Sequence, residues 1–392
     1  MESGITSSTD AISYHSFALD KTSRVYVLEV FTDTGEPIVG AVNDNSTGLS
    51  GNVLQYGLAE RIIIGFVLTV IIILTIAGNI LVCASIFIFP SLRTLTNYFV
   101  FSLAIADILV ACLVMTFSTI NVVTETWIYG DTFCLIFISF DISFCTASIM
   151  HLSCIAFDRY SAICNPFQYP LKMTSRRVTI MLASCWVVPM FISFIPILLQ
   201  WNTIGIENVI ADVKNFAGPY SCIFLVNKPY AVIASTIAFY MPCILMATAY
   251  FFIFRAARKQ AQQIKSLERA TMNWNNTRNG PGDGHPHHHG RRVSLAAEKK
   301  AAKTLGIIMG CFTICWCPFF VFNIVDPFCD FCIDPGAWPP VTWLGYINSM
   351  LNPLLYAFFN RSFRRAFIRL LRCHVCKGTT AEFDPTISSR ER

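Results

Sequence analysis

RIIIGFVLTVIIILTIAGNILVCASIFIF, residues 61–89, carries a single charge at its first position. It exceeds the roughly 20 apolar residues that a helix needs to cross bilayer hydrocarbon. Working outward from it, six further runs of the same kind occupy residues 97–120, 133–157, 178–200, 230–254, 304–326 and 341–359. The whole chain follows this pattern: of 392 residues, 54% are hydrophobic and 14% charged, against about 25% charged in a soluble globular chain. A soluble enzyme is thereby excluded, and no catalytic role is expected. No heptad or solenoid repeat competes with this reading. The one biased patch, rich in Gly, His and Asn at residues 273–290, reads as a flexible loop.

Seven spans place the termini on opposite sides, and Lys and Arg are retained on the cytoplasmic side. The loop at Arg93, the loop from Arg159 to Arg177, the loop from Arg255 to Lys303 and the tail after Arg361 hold 24 of the 29 basic residues. The N-terminus is therefore expected outside the cell. The net charge of +5 reflects topology and some attraction to membrane lipid, not nucleic-acid binding. The expected organisation is a disordered extracellular segment at 1–60, a receptor-sized domain at 61–360 with a long cytoplasmic loop at about 258–300, and a tail at 361–392 that opens with an amphipathic helix. The fold class is all-α membrane protein, a seven-transmembrane helix bundle.

Topology then sorts the modification signals. Asn45-Ser46-Thr47 is a glycosylation sequon on the outer side, whereas the matching triplets at Asn275 and Asn360 fall inside. Cys134 and Cys222 both face the oxidising compartment and suit a disulfide, and Cys329 and Cys332 suit a second, local one. Cys373 and Cys376, just after a basic amphipathic stretch, suit palmitoylation. Most other cysteines read as small packed hydrophobes.

Polar groups inside the spans must be paired or hydrated and are functional candidates for that reason. Asp141 lies seven residues after Cys134, on the same helix face and about 10 Å deeper. An isolated carboxylate at that depth attracts a cation. Arg159 lies eighteen residues beyond Asp141, about 27 Å along the helix, at the inner surface. Glu298 and Trp316 have the same eighteen-residue spacing on the antiparallel sixth span. That register levels Glu298 with Arg159 for an inner ion pair and Trp316 with Asp141 for an aromatic floor. Pro318 removes a backbone hydrogen bond beside that floor. Asp107, with Asn79, Ser148, Asn348, Ser349 and Asn352, gathers oxygen-bearing side chains from four spans. Two readings stand side by side: an allosteric sodium site, or a hydrogen-bond cluster joining helices.

These residues together resemble the rhodopsin-like G-protein-coupled receptors. The matches run in the family's order, one per span: Gly78-Asn79, Leu103-Ala104-Ile105-Ala106-Asp107, Asp158-Arg159-Tyr160, Trp186, Pro242, Cys315-Trp316-Cys317-Pro318 and Asn352-Pro353-Leu354-Leu355-Tyr356. The resemblance covers residues 60–376. It implies a plasma-membrane receptor in which Asp158, Arg159, Tyr160, Glu298, Pro318, Asn352, Pro353 and Tyr356 form the activation switch, with a heterotrimeric G protein, arrestin and receptor kinases as partners. No cofactor is implied apart from the sodium ion.

Asp141 with Thr146-Ala147-Ser148, Phe319, Phe320, Trp343 and Tyr346 resembles the aminergic branch, a carboxylate inside an aromatic cage that holds a small-molecule amine. The runs 227–231, 308–312, 323–328 and 343–349 are most similar to the type-4 serotonin receptors. By that resemblance Asp141 holds the amine, Ser235 meets the indole hydroxyl, Asn323 contacts the ring, Trp316 is the toggle, and coupling runs through the stimulatory G protein to cyclic AMP. Ala234 and Ala238 flank Ser235, leaving too few partners for a catechol, so serotonin is favoured over dopamine. Octopamine and tyramine, each with one phenol, also fit. Arg291-Arg292-Val293-Ser294 matches the pattern read by cyclic-AMP-dependent kinase, and phosphorylation would add roughly two negative charges there. A retinal protein needs a lysine in the last span, and 341–359 has none. A seven-span transporter would show internal repeats or broken helices, which the pattern lacks.

Overall fold

The computed structural model describes residues 57–217, 220–278 and 289–372, together with a short antiparallel ladder of Val30–Phe31 on Pro37–Ile38. Side chains from 271 to 305, and several between 261 and 268, lie outside the described set. Asn45, Cys373 and Cys376 therefore fall outside the described residues, as do the side chains of Ser294 and Glu298.

Among the described residues the chain runs as twelve helices. α1 (Leu58–Ile88) is the first span. α2 (Leu95–Leu109) and α3 (Thr116–Thr124) form the second, joined by a wide π turn at Val110–Met115. α4 (Gly130–Cys164) is the third, the short α5 (Tyr169–Lys172) follows, and α6 (Ser175–Leu198) is the fourth. α7 (Glu207–Ala217) lies in the next loop. α8 (Lys228–Ser235), a π turn at Thr236–Tyr240 and α9 (Met241–Arg278) form the fifth span. α10 (His289–Phe328) is the sixth, α11 (Trp338–Phe359) the seventh, and α12 (Arg361–Leu371) closes the described chain.

Six of these spans are long and apolar enough to cross a membrane by composition. The seventh, α11, is long enough at 22 residues but is diluted by Asn348, Ser349, Asn352 and Pro353, and it reads as a span through its packing within the bundle. Polarity here turns inward while apolar bulk turns outward. Asp107, Asp158, Ser148 and Asn352 are buried, whereas Phe66, Phe87, Ile244, Ile314 and Phe358 are exposed. An outer face of that kind is stable only against hydrocarbon. The fifth and sixth helices extend past their apolar runs, to Arg278 and back to His289, so most of the loop expected at 258–300 is helical.

Both expected disulfides are present, Cys134–Cys222 and Cys329–Cys332. The first ties the loop before α8 to the first turn of α4, and Trp127 N–H donates to the Tyr220 carbonyl at 2.8 Å beside it. Asn227 holds the same loop, accepting from Tyr230 N–H at 3.0 Å and donating to the Trp201 carbonyl at 2.8 Å. At the opposite end Asn360 caps α12 by accepting from Ser362 N–H at 3.0 Å, which gives this sequon match a structural reason. α12 buries Phe363, Ala366 and Phe367 and exposes Arg361, Arg364, Arg365 and Arg369, as an interfacial helix should.

Candidate functional site

Near the disulfide end, Asp141 on α4 accepts from the Tyr346 hydroxyl on α11 at 2.7 Å and from the Cys145 thiol at 3.3 Å. The next residue back from Tyr346 is Gly345, and the Trp316 indole packs directly on it. Trp316 and Asp141 thus contact adjacent residues of α11. From the floor the rings continue outward: Trp316 lies 5.9 Å from Phe319 and 5.9 Å from Phe320, and Phe320 stacks on Phe239 at 4.6 Å. Trp343 meets Tyr346 edge-on at 5.5 Å. Across the cage Asn323 on α10 donates to the Ser235 hydroxyl on α8 at 2.9 Å, both residues buried. Ser235 immediately precedes the π turn at Thr236–Tyr240, a local widening of the helix that recurs at functional sites.

These bonds and ring contacts run from Asp141 through Tyr346 to Trp343 and from Trp316 to Phe319 and Phe320, and α10 carries on from there to Asn323 and its partner Ser235. Several buried polar atoms there have no hydrogen-bond partner among the described residues: the indole nitrogens of Trp316 and Trp343 and the side-chain oxygen of Asn323. Such atoms are costly unless something polar meets them. Chemically, the region offers an anionic anchor at one side, a donor–acceptor pair at the other and ring faces between. That combination suits a flat molecule with a cationic end and a hydroxylated end.

Close approach of Trp316 to Gly345 sets a strict size limit. A Cβ at position 345 would lie 2.7 Å from the indole Cζ3, so Gly345→Ala must displace the ring or α11. Overpacking of this kind costs about 1–3 kcal/mol. A lower melting temperature of the purified protein is expected in a thermal-shift assay, and an unchanged one would show that the indole is free to move.

Midway along the bundle Asp107 on α2 accepts from Ser148 at 2.9 Å and from Asn352 at 2.8 Å. Asn79 donates to the Thr75 carbonyl at 2.9 Å and to the Ser349 carbonyl at 3.1 Å. Ser148, Ser349 and Asn352 thus gather at Asp107, whereas the Asn348 amide nitrogen is buried without a hydrogen-bond partner among the described residues. The hydrogen-bond reading is realised directly. The donor set also fits a hard monovalent cation, since the Asn79 side-chain oxygen is buried with no partner among the described residues and the Ser148 and Ser349 hydroxyls meet the carboxylate. Nearby His151 bonds the Ala147 carbonyl at 2.6 Å and the Ser102 hydroxyl at 2.8 Å, and Trp186 donates to the same hydroxyl at 3.0 Å. His151 is thus a hydrogen-bonded helix residue.

At the arginine end, Asp158 is fully buried and Arg159 pairs with it, Nη2 to Oδ2 at 2.9 Å. Thr96 on α2 donates to the same oxygen at 2.5 Å and accepts from Arg159, and the Tyr169 hydroxyl on α5 donates to Oδ1 at 2.8 Å. Burial and then this bond to Asp158 push the Tyr169 phenol above its ordinary value, so it remains a donor. Thr96 and Tyr169 carry no signal in the sequence because they sit 62 and 11 residues from Asp158 in the chain. Tyr356 stacks on Phe363 of α12 at 5.5 Å, and Pro318 and Pro353 stand inside α10 and α11.

Seven spans, a carboxylate facing a ring cage, a buried polar midsection and a clamped Asp-Arg pair at the far end define a membrane receptor. Residues 78–356 match the family 7 transmembrane receptor (rhodopsin family), and the chain belongs to that family. It is 49% identical over 323 residues to the 5-hydroxytryptamine receptor 4 of Homo sapiens, covering 81% of each chain. It is 40% identical over 343 residues to octopamine receptor beta-2R of Chilo suppressalis, covering 81% of this chain and 82% of that one. It is 38% identical over 356 residues to the D(1) dopamine receptor of Carassius auratus, covering 88% and 97%.

Proposed function

We propose that this chain is a plasma-membrane receptor for a biogenic amine, serotonin foremost, that activates the stimulatory G protein and raises cyclic AMP. The observation that carries the reading is the arrangement around Asp141. One carboxylate is oriented by Tyr346 at 2.7 Å, faced by aromatic rings, and opposed by the single Ser235–Asn323 pair at 2.9 Å. The protonated amine pairs with Asp141, and the ring lies between Trp316, Phe319 and Phe320. The lone hydroxyl of a 5-hydroxyindole meets Ser235 and Asn323. Ala234 and Ala238 offer a second hydroxyl nothing, which disfavours a catechol. Octopamine is the second reading, supported by the same single serine and by the octopamine receptors among the relatives.

In this reading the N-terminus is extracellular, with Asn45 glycosylated. The Asp158–Arg159 clamp opens as α10 moves about Pro318, exposing a cleft for the G protein. Glu298 serves as a further partner for Arg159 in the resting state. Cys373 and Cys376 carry palmitate, Ser294 is a feedback phosphorylation site, and arrestin and receptor kinases act on the same face.

Cyclic AMP measured in cells expressing the chain, with serotonin, octopamine, tyramine, dopamine and histamine supplied in turn, tests ligand and coupling together. A serotonin-selective rise is expected. A response to octopamine alone would replace the first reading with the second, and silence to every amine would overturn both. Sodium at Asp107 would be held by the carboxylate with Ser148, Ser349, Asn352 and the oxygen of Asn79. Asp107→Asn is then expected to abolish the dependence of agonist affinity on sodium, and a variant as sodium-sensitive as the parent would remove the ion from the account.

A further inference from the structure

Tyr160 and Cys164, one turn apart at the end of α4, form one wall of an open groove with Asn165, and Phe252, Arg255 and Lys259 of α9 form the other. The spacing along α9 puts Phe252, Arg255 and Lys259 on one helix face. Along that face the chemistry changes from an apolar ring to two cations within two turns. The change falls where the apolar run of the fifth span ends, between Phe254 and Arg255. Tyr160 and Phe252 close the apolar end, their rings 5.9 Å apart. Phe251, Phe252 and Phe254 are exposed beside it, a band that belongs in hydrocarbon.

Arg255 and Lys259 make no ion pair among the described residues, and what distinguishes them from the other basic residues without one is their place on the wall of this groove. The Asn165 side chain likewise has no hydrogen bond among them. Two unpaired cations and an amide at the membrane boundary, above an apolar trough, complement one molecule in particular: a lipid with an anionic phosphate head and acyl tails. A free phosphate would gain nothing from the rings.

We propose that this groove binds an anionic phospholipid, its phosphate held by Arg255, Lys259 and Asn165 and an acyl chain lying along Tyr160, Cys164 and Phe252. Such a lipid would brace the third span against the fifth at the arginine end of the bundle.

The full chain in phosphatidylcholine nanodiscs doped with a photoreactive phosphatidylserine tests this, with cross-links mapped by mass spectrometry. Labelling of residues 160–165 and 250–260 is expected. In the double variant R255Q/K259Q it should fall roughly tenfold or more, given what two basic residues contribute at an anionic surface. Labelling of α12, whose arginines are untouched, should persist and report that the variant is folded. A photoreactive phosphatidylcholine should label the groove far less than the phosphatidylserine does. Soluble glycerophosphoserine should fail to compete, and full competition would overturn the acyl contact. Equal labelling by both lipids, or labelling unchanged in the double variant, would overturn the proposal. Labelling unchanged while G-protein coupling falls would assign the two cations to protein docking instead.

Discussion

Asp141→Asn is expected to abolish the amine response while the protein still reaches the cell surface. Asparagine matches the carboxylate in volume and keeps an oxygen for the Tyr346 hydroxyl, which lies 2.7 Å from Asp141, so the packing between α4 and α11 survives. What disappears is the charge. Leaving one member of a buried ion pair alone costs about 3–5 kcal/mol. At about 1.4 kcal/mol per decade that corresponds to a loss of affinity of roughly a hundredfold to a few thousandfold. Radioligand displacement on membranes, normalised to surface protein, measures this directly. Unchanged affinity would remove Asp141 as the anchor and with it the amine reading, whatever else the cage binds.

Asp158→Asn should act at the other end and in the opposite direction, raising signalling without ligand. The buried carboxylate accepts from Thr96 at 2.5 Å, from Tyr169 at 2.8 Å and from Arg159 at 2.9 Å, so one side chain joins the second span, α5 and the third span. Hydrogen bonds to a charged group contribute about 1.5–3 kcal/mol each. The Arg159 side chain is 41% exposed, so its share is discounted for solvent screening. Even one or two kcal/mol lost from the resting arrangement shifts a two-state equilibrium roughly fivefold to thirtyfold. Basal cyclic AMP at matched expression is therefore expected to rise several-fold over the parent, with Thr96→Val giving a smaller rise because Arg159 and Tyr169 remain. Basal signalling equal to the parent would mean that this clamp does not hold the resting state. No ligand is needed for the measurement, so its outcome is independent of which amine the cage accepts.

Much of the site is legible in the amino-acid sequence because helices convert residue spacing into depth. Asp141 and Trp316 are levelled by counting residues at a fixed rise, and the cysteines are sorted by the side each loop faces. The motif residues are readable one by one. Their partners are not. Cys145 donates to Asp141, Thr96 and Tyr169 hold Asp158, Ser102 links His151 to Trp186, and Phe239 stacks on Phe320. Each is an ordinary residue made functional by which helix face meets which. The two π turns also leave no mark in the hydrophobic pattern, because one extra residue in a turn changes direction and not composition.

The sequence by itself determined the number of spans, their order, the charge asymmetry between loops and the identity of the chemical groups buried in the bundle. These follow from the cost of placing backbone and charge in hydrocarbon, which is incurred residue by residue and needs no neighbour. Tertiary structure alone decided the pairings: the Tyr346–Asp141 bond, the Asn323–Ser235 bond, the indole against Gly345, and the groove that joins Tyr160 to Arg255. These depend on the rotation of each helix about its own axis. That rotation is set by how side chains from several helices fill one interior, a property that no single segment carries.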